Sequence, residues 1–148
     1  MQKIYRGFSR KKEPGEYLNQ FLLSPRQPTE TPKLIHDFSD HWFYEKFGIK
    51  CRSTAVICTT EINQAMLYGS SGSILEIRPS GIYSIVYSPY VKDFLDIVTE
   101  IDEISFNAVS SWLENKNYQC VRSISEIEKS FFGEVMVSCE KYSAFTYI

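Results

Sequence analysis

The chain has 148 residues, a mass of 17.2 kDa and a net charge of −2 at neutral pH. This length predicts a single domain spanning residues 1–148, with a core large enough to be stable without disulfides. A hydrophobic fraction of 43% and an aromatic fraction of 15% exclude a disordered chain, and the small net charge excludes a global basic field for nucleic acid.

The cysteine and hydropathy patterns narrow the class of protein further. None of the four cysteines forms a C-x-x-C pair, and His36 and His41 lie five residues apart, so we expect no metal site. No apolar run approaches 18 residues, and the first residues lead straight into a charged stretch, so neither a membrane span nor a signal peptide is expected. These features predict a reduced, cytoplasmic protein, with a monomer favoured.

In chain order, the first half combines short apolar runs with two helical patterns. A short strand is predicted at 4–8, followed by a polar turn and a short helix at 16–23. Three prolines between residues 25 and 32 predict a stiff loop. A helix with an aromatic face follows at 34–47, ended by Gly48. A buried strand is predicted at 54–59, and Thr60 is expected to cap a helix at 61–68.

The second half is predicted to contain more strands. A hairpin is expected from strands 73–78 and 82–87 around a Pro-Ser-Gly turn, then a helix from Pro89 to about Val98 and another at 105–114. Strands are predicted at 118–122, 134–138 and 143–148, with an ambiguous stretch at 123–130. Short strands in mixed order predict an α+β domain built on a split or sandwiched antiparallel sheet, with flanking helices.

Arg6 and Gly7 form the first candidate functional pair. A guanidinium recognises phosphate in a planar, bidentate manner, and a strand glycine lets a ligand approach the backbone closely. The alternative is an exposed arginine followed by a bulge glycine. The nearby Arg10, Lys11 and Lys12 form either a local basic patch or a solvated loop.

Two more polar features stand at the heads of predicted strands. Ser53 and Thr54 precede an apolar run, where a hydroxyl could either orient a catalytic carboxylate or bond the backbone. Glu134 precedes Val135, and acidic residues are depleted in strands. Such a carboxylate is either an edge charge or part of a site.

Taken together, these segments resemble the ADP-ribosyltransferase superfamily, in the branch with an Arg, Ser-Thr-Ser, Glu signature. Tyr5-Arg6-Gly7 is similar to its first motif, Arg52-Ser53-Thr54-Ala55 to its second, and the strand headed by Glu134 to its third. The segment 36–52 is also similar to small phage-borne members of this group. The resemblance implies an ADP-ribosyltransferase-like fold of split antiparallel sheets.

The resemblance also implies an activity, namely NAD-dependent mono-ADP-ribosylation of a macromolecular acceptor, either protein or nucleic acid. By that resemblance Glu134, Ser53 and Arg6 are the catalytic group. Arg6, Gly7, Arg52, Ser53 and Thr54 are the residues expected to bind NAD. Ser53 would hydrogen-bond Glu134, which would stabilise the sugar cation as nicotinamide leaves, with no metal involved.

Two positions depart from the family pattern. Ala55 replaces the last serine of the second motif, and Phe132 stands where arginine-modifying relatives carry Gln or Glu. An arginine acceptor is therefore disfavoured, and Phe131 and Phe132 either stack on an aromatic or nucleobase acceptor or pack in the core. Three alternatives remain: an NAD glycohydrolase, a catalytically inactive binding module of the same fold, and an unrelated α+β domain.

Overall fold

A computed structural model describes residues 2–147 as an α+β fold with one antiparallel sheet, in agreement with the α+β class predicted from the sequence. The strands are β1 Ile4–Phe8, β2 Gly15–Leu18, β3 Val56–Thr59, β4 Ser73–Pro79, β5 Ser84–Tyr87, β6 Gln119–Val121, β7 Glu134–Ser138 and β8 Lys141–Thr146. The α-helices are α1 Lys33–Phe47, α2 Ile62–Gly69, α3 Asp96–Glu100 and α4 Phe106–Asn115, and short 3-10 turns cover Gln20–Leu22 and Ile124–Glu126.

All eight strands join one antiparallel sheet, in the order β2-β8-β4-β1-β3-β7-β5-β6. Its two central strands, β1 and β3, pair in register only at Tyr5 and Thr59, whereas β1 pairs with β4 over its whole length. The sheet is therefore two four-stranded halves that meet at a narrow seam. We call the junction of β1 and β3 the seam below.

Two apolar clusters fill the spaces on either side of the second half. The first cluster contains Ile4 and Ile77 from one half together with Cys58 and Val135 from the other, so the two halves share a core. The second cluster packs the opposite face of β5 and β7 against α1, α3 and α4. The remaining helix, α2, covers β1 at the seam.

Local sequence explains where the helices begin and end. Gly48 ends α1 in the left-handed conformation with φ of 75°, as predicted, and its N–H donates to the Tyr44 carbonyl. The side chain of Ser105 caps α4 by accepting from the Ala108 N–H. The cap of α2 is Glu61 rather than the predicted Thr60, whose hydroxyl instead bonds the Phe131 carbonyl. Within residues 2–147 no helix is both long and apolar enough to cross a membrane.

Three predicted elements were wrong. Residues 16–23 do not form a helix, because the start of that segment pairs with β8 as an edge strand. Strands β4 and β5 do not form a hairpin, because they lie in different halves of the sheet. The helix from Pro89 begins only at Asp96, because the side chains of Ser88 and Asp93 accept from nearby backbone N–H groups and stabilise turns instead.

The last strand also differs slightly from its prediction. It begins at Lys141, two residues earlier than expected, and Ile148 lies outside the described residues. β7 and β8 follow each other closely in the chain but lie in different halves of the sheet. The chain therefore passes from the second half to the first between Ser138 and Lys141.

Candidate functional site

A cleft of about 810 Å³ opens where β1 and β3 diverge at the seam. Residues of both strands line it, together with the Pro-rich loop, the start of β7 and α2. Its basic residues outnumber its acidic ones by six to three, although the whole chain is slightly acidic. The basic residues are Arg6, Arg10, Lys11, Lys12, Arg26 and Arg52, and the acidic ones are Glu30, Asp93 and Glu134. The cleft is therefore suited to an anionic ligand.

Arg6 spans the seam. Its Nη1 donates to the Ile57 carbonyl on β3 at 2.7 Å, at a level where β1 and β3 are no longer paired in register. Its guanidinium also lies over the rings of Phe8 and Phe21, at 5.3 and 5.6 Å from their centroids. This anchoring fixes the guanidinium and leaves its remaining N–H donors for a ligand.

Arg52 and Glu134 form the best-defined ion pair of the cleft. Arg52 Nη1 donates to Glu134 Oε1 at 2.8 Å, and the two residues are 82 positions apart in the chain. Both side chains are largely buried, with 12% and 15% of their surface exposed. Arg52 also stacks on the buried ring of Phe94, with its guanidinium carbon 4.0 Å from the ring centroid. The arginine therefore holds the carboxylate in one position.

The environment of Glu134 shifts its titration. Burial raises the pKa of this carboxyl above its ordinary value of 4.5, while the positive charge of Arg52 opposes the rise. The strand start is fixed by the Glu134 N–H, which donates to the Lys92 carbonyl at 2.9 Å. Thr60 holds the preceding turn, since its hydroxyl accepts from the Gly133 N–H at 3.0 Å. A carboxylate with this environment is a functional-site candidate.

The expected hydrogen bond between Ser53 and Glu134 is not formed in the described structure. Ser53 is buried, and its hydroxyl donates to Asp40 of α1, whose carboxylate also accepts from the backbone N–H groups of Arg52 and Ser53. The Thr54 hydroxyl donates to the Lys50 carbonyl at 3.0 Å. Neither hydroxyl lines the cleft. The Ser-Thr pair thus shapes the turn that delivers Arg52, because its hydroxyls have nearer acceptors.

Gly7 lines the cleft, and the structure gives it a packing role. A Cβ at this position would lie 2.2 Å from the Ala65 carbonyl oxygen and 2.7 Å from the Gly69 nitrogen. Both atoms belong to the backbone of α2. The absence of a side chain therefore lets α2 lie directly on β1 beside the seam.

The cleft and the turn beside it also contain side chains whose contacts the sequence did not reveal. Arg26, in the Pro-rich loop, donates from Nη1 to the Arg52 carbonyl at 2.8 Å and stacks on Phe21, 3.8 Å from the ring centroid. Asp40 is the acceptor that organises the turn before β3. The available signals were weak, because a loop arginine and a helix aspartate are usually solvated.

The two phenylalanines expected to meet an acceptor separate in the structure. Phe131 is 5% exposed and packs against Tyr87 in the first core cluster, so it is not available for stacking on an acceptor. Phe132 is 48% exposed and borders a depression of about 190 Å³ formed with Pro89 and Lys92. Only Phe132 remains a candidate acceptor contact.

No protein-family model matches the chain, and no curated protein or solved structure is detectably similar to it. The resemblance to ADP-ribosyltransferases therefore depends on the motif residues alone. Among residues 2–147, no group of three or more His, Cys, Asp or Glu side chains could hold a metal ion.

The cleft combines side chains that can bind anionic oxygens with one that can stabilise a cation. Arg6 and Arg52 reach the same cleft from opposite sides of the seam and supply guanidinium donors for phosphate or ribose oxygens. Glu134 supplies a buried carboxylate that can stabilise developing positive charge. A ligand with both an anionic part and a reacting centre that becomes cationic fits these groups.

Proposed function

We propose that this protein is an NAD-dependent mono-ADP-ribosyltransferase with an ADP-ribosyltransferase-like split-sheet fold. The observation that carries the proposal is the convergence of Arg6, Arg52 and Glu134 on one cleft at the seam. All three residues were selected from motifs widely separated in the sequence. A cleft of about 810 Å³ is also within the roughly 300–1,000 Å³ range of small-molecule and cofactor sites.

In the proposed reaction, the bond between nicotinamide and ribose C1′ breaks, and nicotinamide leaves as a neutral base with the bonding electrons. The ribose becomes an oxocarbenium-like cation, which the Glu134 carboxylate stabilises electrostatically. Arg6 holds the phosphates, so that the reacting carbon is fixed relative to Glu134. A nucleophile on the acceptor then bonds to C1′ and loses its proton.

Arg52 takes the orienting role that the family resemblance assigned to Ser53. Its 2.8 Å bond to Glu134 fixes one carboxylate oxygen and leaves the other without a hydrogen-bond donor among the described residues. That second oxygen is available for a ribose hydroxyl. Asp40 supports this arrangement indirectly, since it accepts from the Arg52 backbone N–H at 2.8 Å.

The direct test is the release of nicotinamide from NAD by purified protein, with and without cell lysate as a source of acceptor. We expect Glu134→Gln to reduce the rate roughly 10²–10³-fold, the usual cost of removing one electrostatic stabiliser. Glu140→Gln is the matched control, because Glu140 is an exposed carboxylate in the turn between β7 and β8. A wild-type protein that neither binds nor consumes NAD would refute the proposal.

The pKa of Glu134 adds a pH signature to this test. Because burial raises that pKa above 4.5, kcat/KM is expected to fall on acidification with a midpoint above 4.5. The same shift means that the ionised carboxylate costs folding free energy, increasingly so as the pH rises above 4.5. Glu134→Gln removes this cost but leaves the largely buried Arg52 guanidinium without its carboxylate partner, so the melting temperature of the variant must be measured to separate lost activity from unfolding.

An NAD glycohydrolase is the second candidate, with water as the acceptor. It is favoured by the burial of Phe131, which leaves Phe132 as the single aromatic residue of that pair exposed to an acceptor. Mass spectrometry of lysate components distinguishes the two activities. A mass increase of one ADP-ribose unit identifies a transferase, whereas free ADP-ribose alone identifies a hydrolase.

A catalytically inactive module is the third candidate, and the Arg52–Glu134 ion pair favours it. If that pair persists when ligand is bound, the carboxylate has less negative charge to offer a cation. The inactive module is expected to bind NAD without releasing nicotinamide. The same nicotinamide assay, combined with a binding measurement, identifies this case.

A further inference from the structure

Arg26 is held in the cleft more firmly than a loop arginine usually is. Its backbone N–H donates to the Ser53 carbonyl at 2.8 Å, and its Nη1 donates to the Arg52 carbonyl at 2.8 Å. Pro25 and Pro28 on either side stiffen the loop. Both the backbone and the guanidinium are therefore positioned before any ligand arrives, which reduces the entropy lost on binding.

Phe21 links this arginine to Arg6. The guanidinium carbon of Arg26 lies 3.8 Å from the centroid of the Phe21 ring, and that of Arg6 lies 5.6 Å from the same centroid. Each guanidinium is tied through Nη1 to a different backbone carbonyl, Ile57 for Arg6 and Arg52 for Arg26. The two guanidinium groups therefore share contact with the Phe21 ring, but each is fixed by its own hydrogen bond to a different backbone carbonyl.

The charge of Arg26 has no carboxylate partner in the described structure. Its Nη2 is buried and makes no hydrogen bond to the described protein atoms. Burial, together with the positive charges of Arg6 and Arg52, lowers the pKa of Arg26 to about 9, so the group is still protonated at neutral pH. A buried, charged donor without an acceptor is costly, and an anion in the cleft would remove that cost.

We propose that Arg6 and Arg26 form a two-armed site for a diphosphate, in which each guanidinium binds one phosphate group. A guanidinium presents a planar pair of donors to one phosphate, so two separately anchored arginines select two linked phosphates over one. The chemical class of ligand is a nucleoside diphosphate or a dinucleotide with a pyrophosphate bridge. For NAD as that ligand, the inference rests on the proposed function.

The test is isothermal titration calorimetry of the purified 148-residue protein with ADP, AMP and inorganic pyrophosphate. We expect ADP and pyrophosphate to bind, and AMP to bind more weakly than ADP. Loss of a charge-assisted hydrogen bond in Arg26→Gln should weaken ADP and pyrophosphate binding roughly 10- to 100-fold. Arg122→Gln is the matched control, because Arg122 is exposed and lies outside the cleft.

Arg26→Lys keeps the charge but loses the planar fork, and it preserves the backbone contact of the loop. It should recover part of the pyrophosphate affinity and little of the preference for ADP over AMP. This variant keeps the test informative if Arg26→Gln lowers the melting temperature. Equal ADP affinity in Arg26→Gln and Arg122→Gln would overturn the inference, as would equal wild-type affinity for ADP and AMP, or no binding of either diphosphate.

The outcomes separate this inference from the proposed function. If ADP binds through Arg26 but the protein releases no nicotinamide from NAD, the diphosphate site stands and the transferase proposal fails. If lysate components gain one ADP-ribose unit and NAD is consumed with the same KM by Arg26→Gln and wild-type protein, the transferase proposal stands and the diphosphate role of Arg26 is refuted.

Discussion

Arg52 contributes three different interactions to the cleft. Its backbone N–H donates to Asp40, its side chain donates to Glu134, and its guanidinium stacks on Phe94. The three partners lie on α1, at the start of β7 and in the turn before α3. This residue therefore connects the helical layer, the turn before β3 and the carboxylate at the head of β7.

We expect Arg52→Gln to destabilise the protein near neutral pH by up to roughly 3–5 kcal/mol, because it leaves a largely buried carboxylate without its ion-pair partner. The positive charge of Arg52 lowers the pKa of Glu134, so its removal raises that pKa further. The folded state then favours protonated Glu134 more strongly, and the loss should shrink as the pH falls toward about 5. Urea unfolding of the variant and the wild-type protein, near neutral pH and at about pH 5, measures this loss in the free energy of unfolding.

The double variant Arg52→Gln/Glu134→Gln is the internal control for this experiment. Removing both charges should restore much of the lost free energy of unfolding, because neither buried charge remains unpaired. If the two single effects simply add in the double variant, the ion pair is not what couples these residues.

At the residue scale, the sequence identified the candidate site residues that are of a type uncommon in strands. Arg6 and Glu134 were found because charged side chains are uncommon in apolar strands, and both line the cleft. The sequence alone leaves Arg26 as either an added phosphate contact or an exposed loop arginine. Asp40 was missed because its partners, Arg52 and Ser53, lie 12 and 13 residues further along the chain, beyond the end of α1, and no local pattern encodes that contact.

At the scale of elements, the close packing of α2 on β1 sets the shape of the cleft. The helix approaches the strand at Gly7 without space for a methyl group, and Ala65 and Tyr68 of the same helix line the cleft. The width of the cleft at that wall is therefore set by how closely helix and strand approach.

We expect Gly7→Ala to lower the free energy of unfolding by about 1–3 kcal/mol or more, the usual cost of overpacking. The added Cβ meets backbone atoms of α2, which cannot move without shifting the helix. Ser9→Ala, at an exposed position just beyond β1, is the control for urea unfolding. A Gly7→Ala variant as stable as Ser9→Ala would show that α2 moves freely against β1.

Elements were predictable where composition and caps act locally. The sequence predicted β1, β7, α1 and α4 nearly at their observed bounds, because apolar residues mark the strands and the caps Gly48 and Ser105 adjoin the helices. The hairpin of β4 and β5 failed because a local turn signal does not identify pairing partners. β4 instead pairs with β1 and β8, which lie at opposite ends of the chain.

At the scale of the whole molecule, the cleft lies at the seam, so a bound ligand would contact both halves of the sheet. Arg6 belongs to the first half, whereas Arg52 and Glu134 are associated with the second. A ligand that contacts all three would join strands that otherwise pair in register only at Tyr5 and Thr59. Binding should therefore reinforce the weakest junction of the sheet.

We expect saturating NAD or ADP to raise the melting temperature by about 5–10 °C, since a ligand at 100 times its Kd adds about 2.7 kcal/mol to a domain of this size. Amide hydrogen exchange should slow at β1 and β3 more than at the edge strand β6. A uniform slowing across all strands, or none at the seam, would contradict a ligand that joins the two halves.

The way the chain crosses between the halves also governs when the protein can fold during synthesis. β8 lies between β2 and β4, and β7 lies between β3 and β5, so strands made early wait for partners made late. The second half lacks β7 until Ser138 has been synthesised, and the first half lacks β8 until Thr146 has been synthesised. Each half therefore completes its strand pairing only after its late strand is available, and the folding rate is limited by contacts between distant parts of the chain.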